Sequence, residues 1–104
     1  MKPFDIYIVY ISWGGNGKRR PVLVLFEHEG EVSVFPITTQ YQNKSAAVRS
    51  KYIAISDWQQ SGLDKPSYID INKAIDLPTT TIAPSPIGML SERDKKVLLE
   101  ALEA

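Results

Sequence analysis

The chain contains no cysteine and a single histidine, His28. The first absence excludes a disulfide framework, a thiolate metal site and a cysteine nucleophile. The second excludes a multi-histidine zinc centre and leaves any histidine-based triad to run through His28 alone. No apolar run approaches the roughly 20 residues needed to span a bilayer, so no membrane partner is expected. The opening Met1-Lys2-Pro3-Phe4-Asp5 lacks the apolar stretch of a secretory signal, which makes a cytoplasmic location the expectation. Neither sign of charge is in excess, since 12 basic and 12 acidic side chains balance. Gly14-Gly15-Asn16-Gly17 lacks the strand-and-helix setting of a phosphate-binding loop, and no cofactor is expected. What is there, 104 residues that are 43% hydrophobic and 23% charged, suits one globular domain spanning 1–104 with its own core.

Short β-rich runs alternate with turn residues through the first half. Residues 4–11 read as a strand on their β-branched and aromatic content. Ser12–Gly17 reads as a turn, followed directly by Lys18-Arg19-Arg20. Pro21 is expected to open a strand whose apolar run, Val22 to Phe26, is buried on both faces. A hairpin loop over Glu27–Glu31 then leads into a returning strand, Val32–Ile37. Residues 40–51 have no hydrophobic period and read as a long loop. Short strands are expected at 52–55, 67–71 and 73–77, with a helical turn over 57–62 capped by Ser56. Residues 78–86 hold three prolines and three threonines and read as a connector. The one convincing helix follows Ser91, which forms a capping-box variant with Asp94 and precedes a stripe of Leu98, Ala101 and Leu102. The fold class is therefore mainly β with a C-terminal helix, barrel-like or sandwich-like at its start.

Two segments carry chemistry. In Gly17-Lys18-Arg19-Arg20-Pro21 three cations lie between a glycine turn and an apolar strand. They either keep an edge soluble or bind an anion; Arg20, anchored beside the sheet, presents a planar fork suited to phosphate. In Pro36-Ile37-Thr38-Thr39-Gln40 an apolar strand ends in hydroxyls and an amide, which serve as β-formers and caps or as donors to a ligand. The start of one hairpin strand lies beside the end of the next, so Arg20 and Thr38 are expected neighbours. Residues 32–56 contain Lys44, Arg49 and Lys51 but no acid, a local basic patch able to bind a polyanion on a neutral chain. Glu27, Glu29 and Glu31 alternate around His28 and read as a solvated hairpin edge, with no metal site expected.

Phe4-Asp5-Ile6-Tyr7-Ile8-Val9, Gly17-Lys18-Arg19-Arg20-Pro21-Val22-Leu23-Val24-Leu25 and Pro36-Ile37-Thr38-Thr39-Gln40 together resemble the MazF/PemK toxin family. The likeness runs in order from residue 3 to about 40 and continues through 67–77 and 87–90. It implies a small SH3-like β-barrel, dimeric, acting as a sequence-selective, metal-independent endoribonuclease paired with a cognate antitoxin. It implies catalytic roles for Arg20 and Thr38. Asp70 matches a further family acid and, with Lys73, is a candidate for catalysis or substrate binding. The chain departs from the pattern at Phe4, in its short acid-free loop from Ser12 to Gly17, and at Tyr68, where some members have arginine.

Single-stranded RNA carries its own nucleophile, the 2′-hydroxyl, so cleavage needs alignment and charge stabilisation rather than an external attacking group. Arg20 would hold the phosphoryl oxygens. Thr38 would donate to one of them or position the 2′-oxygen. Lys18, Arg19, Thr39, Gln40, Lys44 and Arg49 would contact RNA, and Trp13, Tyr41 or Tyr52 would stack bases. The alternative is a non-catalytic RNA-binding or protein-interaction module on the same barrel.

Overall fold

A computed structural model describes the chain apart from Gly14 and Gly15 and the side chains of residues 11–16. The turn expected over Ser12–Gly17 is shorter than that, because Ser12, Trp13, Asn16 and Gly17 belong to paired strands; Gly14, Gly15 and the side chain of Trp13, expected as a stacking ring, lie outside the described residues. Strand β1 (Asp5–Trp13) pairs antiparallel with β2 (Asn16–His28) through Ile6↔Leu23, Ile8↔Pro21 and Val9↔Arg20. Pro21 thus sits inside a 13-residue strand instead of opening one. It is tolerated because the ladder from β2 to β3 (Glu31–Thr38) ends at Val22↔Pro36, so one flank of Pro21 has no ladder donor to supply. The hairpin loop is tighter than expected. Glu29 and Gly30 take φ values of 48° and 80°, the positive pair of a two-residue turn whose twist suits the flanking strands.

Beyond β3 the chain forms a short helix α1 (Ala46–Arg49), where the sequence suggested only loop; the Ser45 side chain caps it by accepting from the Val48 N–H. Strands β4 (Tyr52–Ala54), β5 (Tyr68–Asp70), β6 (Ile75–Pro78) and β7 (Gly88–Met89) follow, then helix α2 (Glu92–Glu103). The sheet order is β4-β5-β3-β2-β1-β7, with β6 also on β3. Every strand pairing is antiparallel. From β6 a 3-10 turn over Thr79–Thr81 leads to Ile82, which bridges Val9. One segment therefore touches β3 at its start and β1 at its end, and the sheet curls under it. The resulting mainly β half-barrel with a C-terminal helix agrees with the expected fold class.

Two cores occupy the two faces. Ile6, Leu23, Phe35, Ile37, Ile69, Leu90 and Leu98 form one, beneath α2 and the 55–63 turn. Tyr7, Val9, Val22, Val24, Val32, Val34 and Ile82 form the other, beneath the 75–82 segment. The run from Val22 to Phe26 is buried on both faces only as far as Val24. A bulge between Val24 and Phe26 interrupts the register, and Phe26 is 57% exposed. On α2 the buried positions are Asp94 and Leu98, with Leu102 exposed, so the stripe runs through Asp94 rather than Leu102.

Asp94 explains the difference. Ser91 caps the helix as expected, its Oγ accepting from the Asp94 N–H at 3.2 Å. The Asp94 carboxylate meets the cap only through Ser91 Oγ, which donates to it at 3.3 Å. Its shorter bonds come from the Ser56 and Asp57 N–H groups at 3.0 and 2.8 Å. The 57–62 segment does make a single helical turn, the Ser61 N–H donating to the Asp57 carbonyl at 3.0 Å, but it is capped from α2 and not by the Ser56 side chain. Ser91 and Arg93 donate to Asp57 at 2.7 and 2.6 Å, and these two bonds hold its carboxyl below the usual range. The turn ends at Gly62 (φ 88°), whose backbone packs on that of Ile87 and Gly88; a Cβ on Gly62 or Gly88 would collide with a carbonyl oxygen.

Candidate nucleic-acid interface

Side chains alternate along β1, β2 and β3, and the two cores show which residue faces which side. Val9, Val22 and Val34 lie in the second core. By that alternation Arg20, the partner of Val9, and Thr38, two residues past Pro36, belong to the same face. Both lie two residues beyond the last β2/β3 pair, Val22↔Pro36. There β3 changes partner and runs against β5 through Ile37↔Ile69 and Thr38↔Tyr68. Arg20 and Thr38 are each half-buried. Among the described residues Arg20 belongs to no ion pair. The Thr38 hydroxyl oxygen accepts from the Gln40 N–H at 3.0 Å, and the Gln40 side-chain oxygen accepts from Asn43 at 3.2 Å.

The same alternation extends outward. Ile69 faces the first core, so Tyr68 and Asp70 face the side of Thr38; Tyr52 pairs with Asp70 across β4 and β5. Tyr41 stacks on Tyr68 with centroids 4.4 Å apart and planes at 11°. Tyr52 tilts against both, at 6.2 and 6.4 Å. The Arg49 guanidinium from the last residue of α1 lies 5.4 Å from the Tyr41 centroid, a distance at which cation and ring attract. Asp70 is oriented by Asn72, whose backbone N–H and amide donate to Oδ1 at 2.9 and 2.7 Å. Burial and the Asp70 charge both push the Tyr52 hydroxyl pKa up.

Other expected contacts are placed apart. Arg19 and Thr39 point to the opposite side, where with Ile8, Pro21, Leu63 and Ile87 they line a cleft of about 360 Å³. Lys18 and Lys44 are exposed, and Lys73 is exposed in the connector between β5 and β6. His28 is exposed beside Glu29 at the hairpin tip, remote along the strands from Arg20. Tyr68 was missed as a site aromatic, although its position two residues before Asp70 on one strand signals a shared face.

The chain resembles solved toxins over nearly its whole length. The Mycobacterium tuberculosis toxin MazF-mt6 is 25% identical with a TM-score of 0.71, over 94% of this chain and 91% of that one. A second toxin structure, described as an Mtb toxin, is 24% identical with a TM-score of 0.66, over 92% and 96%. A mycobacterial endoribonuclease solved with its cognate antitoxin shares the fold at 15% identity and a TM-score of 0.63, over 97% and 91%. Among curated proteins none matches. The family described as PemK-like, MazF-like toxin of type II toxin-antitoxin system matches residues 2–104. With the curled sheet, the C-terminal helix and the sequence motifs in place, the chain belongs to that family of toxins.

Proposed function

We propose that the protein is a metal-independent, sequence-selective endoribonuclease of single-stranded RNA, the toxin of a toxin–antitoxin pair, acting as a homodimer in the cytoplasm. The observation that carries this reading is the placement of Arg20 and Thr38 on one face at the end of the β2/β3 ladder, with no carboxylate paired to Arg20 among the described residues. Attack by the 2′-oxygen on phosphorus breaks the bond to the 5′-oxygen and gives a 2′,3′-cyclic phosphate and a 5′-hydroxyl end. Charge grows on the phosphoryl oxygens during that step. Arg20 offers them a permanent cation with paired donors. Thr38, its oxygen already engaged by Gln40, has its hydroxyl hydrogen free to donate to a phosphoryl oxygen. Asp70 lies two residues beyond Tyr68, the partner of Thr38, on the same face, while Lys18, Lys44 and Lys73 are exposed cations for flanking phosphates. The antitoxin is proposed to cover this basic, acid-poor surface with an acidic segment and so compete with RNA. A relative of the same fold is an endoribonuclease solved with its antitoxin, which supports that partner.

The test is incubation of purified protein with long single-stranded RNA in EDTA. Discrete fragments ending in 2′,3′-cyclic phosphate are expected. Retention of intact RNA would instead support a non-catalytic binding module.

A further inference from the structure

Beside Thr38 lies an aromatic assembly that the cleavage step does not use. Tyr41 and Tyr68 are stacked nearly parallel, Tyr52 stands against both at a tilt, and Arg49 lies over Tyr41. All four are half-buried, placed neither in the two cores nor freely in solvent. Among the described residues Arg49 pairs with no carboxylate. Tyr68 covers one face of Tyr41 and Arg49 lies over that ring as well, so an incoming unpaired base would stack on the outer face of Tyr68, with the uncompensated guanidinium nearby for its phosphate. At the edge of the assembly Asp70 faces the same side. Its Oδ1 accepts two bonds from Asn72, and among the described residues Oδ2 has no partner, so it retains its acceptor capacity. A carboxylate oxygen accepts from the exocyclic amine of adenine, guanine or cytosine. It faces carbonyl oxygens on either side of the single N–H of uracil.

We propose that Tyr68, backed by Tyr41 and Arg49, forms a stacking subsite for one base of the RNA next to Thr38, and that Asp70 selects there a base bearing an exocyclic amine over uracil. This rests on the nuclease reading for its substrate class, but its test does not depend on cleavage. Short oligoribonucleotides with every ribose 2′-O-methylated cannot be cut by 2′-attack. One set carries 2-aminopurine, an amine-bearing purine whose fluorescence falls on stacking, at each position in turn; a second set carries uracil there.

The expected result is one position at which 2-aminopurine is quenched on binding and uracil weakens binding. Tyr68→Ala or Tyr41→Ala should abolish that quenching and raise Kd about 5- to 150-fold. Tyr68→Phe, which keeps the ring, should retain the quenching, and it covers the case in which an alanine variant does not fold. Asp70→Asn should narrow the preference over uracil while leaving the quenching in place. Quenching unchanged in folded Tyr68→Ala and Tyr41→Ala proteins would overturn the subsite, as would failure of the parent to bind these oligonucleotides. A 2-aminopurine oligoribonucleotide with its 2′-hydroxyls intact that is bound and quenched but never cut would overturn the nuclease reading alone.

Discussion

Arg20 is held by its neighbours more than by its own contacts. Its backbone is fixed opposite Val9 and ahead of Pro21, so the side chain leaves the sheet in one direction. Arg20→Lys keeps the charge and loses the planar fork, and Arg20→Ala loses both. Both substitutions are expected to lower single-turnover cleavage by on the order of 10²–10³. RNA affinity, measured on uncleavable RNA, should fall far less, because exposed Lys18 and Lys44 remain. The thermal midpoint should stay near the parent's, since Arg20 lies in neither core. A folded Arg20→Ala protein cutting at the parental rate would move the site elsewhere, with Asp70 and Lys73 the residues to examine next.

Helix α2 is attached to the sheet by a polar lock as well as by Leu98. Asp94→Ala removes the acceptor of two N–H bonds and should cost about 1–3 kcal/mol, read by chemical denaturation. Asp57 makes part of the same lock pH-sensitive. Its folded pKa is lowered from 3.8 by the Ser91 and Arg93 bonds. Its stabilisation is therefore full above 3.8 and is lost as the pH falls through the lowered value. Thermal midpoints between pH 6 and pH 2 should show that loss in the parent and a shallower one in Ser91→Ala/Arg93→Ala. Sequence reading found Ser91 as the cap because a cap is a local pattern three residues long. It did not find the bond from Asp94 to residues 37 and 38 positions earlier, since no local spacing encodes it. For the same reason Arg20 and Thr38 were legible through one hairpin's register. The Tyr41–Tyr68 stack, joining a loop to a strand 27 positions later, was not. The two-residue strand Gly88–Met89 is too short to carry any period.

Much apolar surface stays uncovered on a chain of this size. Val97, Leu99 and Leu102 on α2 and Met89 on β7 are each 46–49% exposed, area that a second subunit would remove from water. Light scattering at micromolar concentration is expected to give twice the mass of the chain, and a monomeric mass would refute the homodimer. The order in which the parts of the fold are made has its own consequence. Arg20, Thr38 and Tyr68 are all translated before α2, yet the first core contains Leu90 and Leu98, and the 56–57 turn is capped by Asp94. On the ribosome, a nascent chain that ends before residue 94 carries every residue of the proposed site without the packing that fixes them. Under the proposed nuclease reading, a chain truncated before residue 94 is therefore expected not to cut RNA, and the cleavage assay run on that truncated protein checks it.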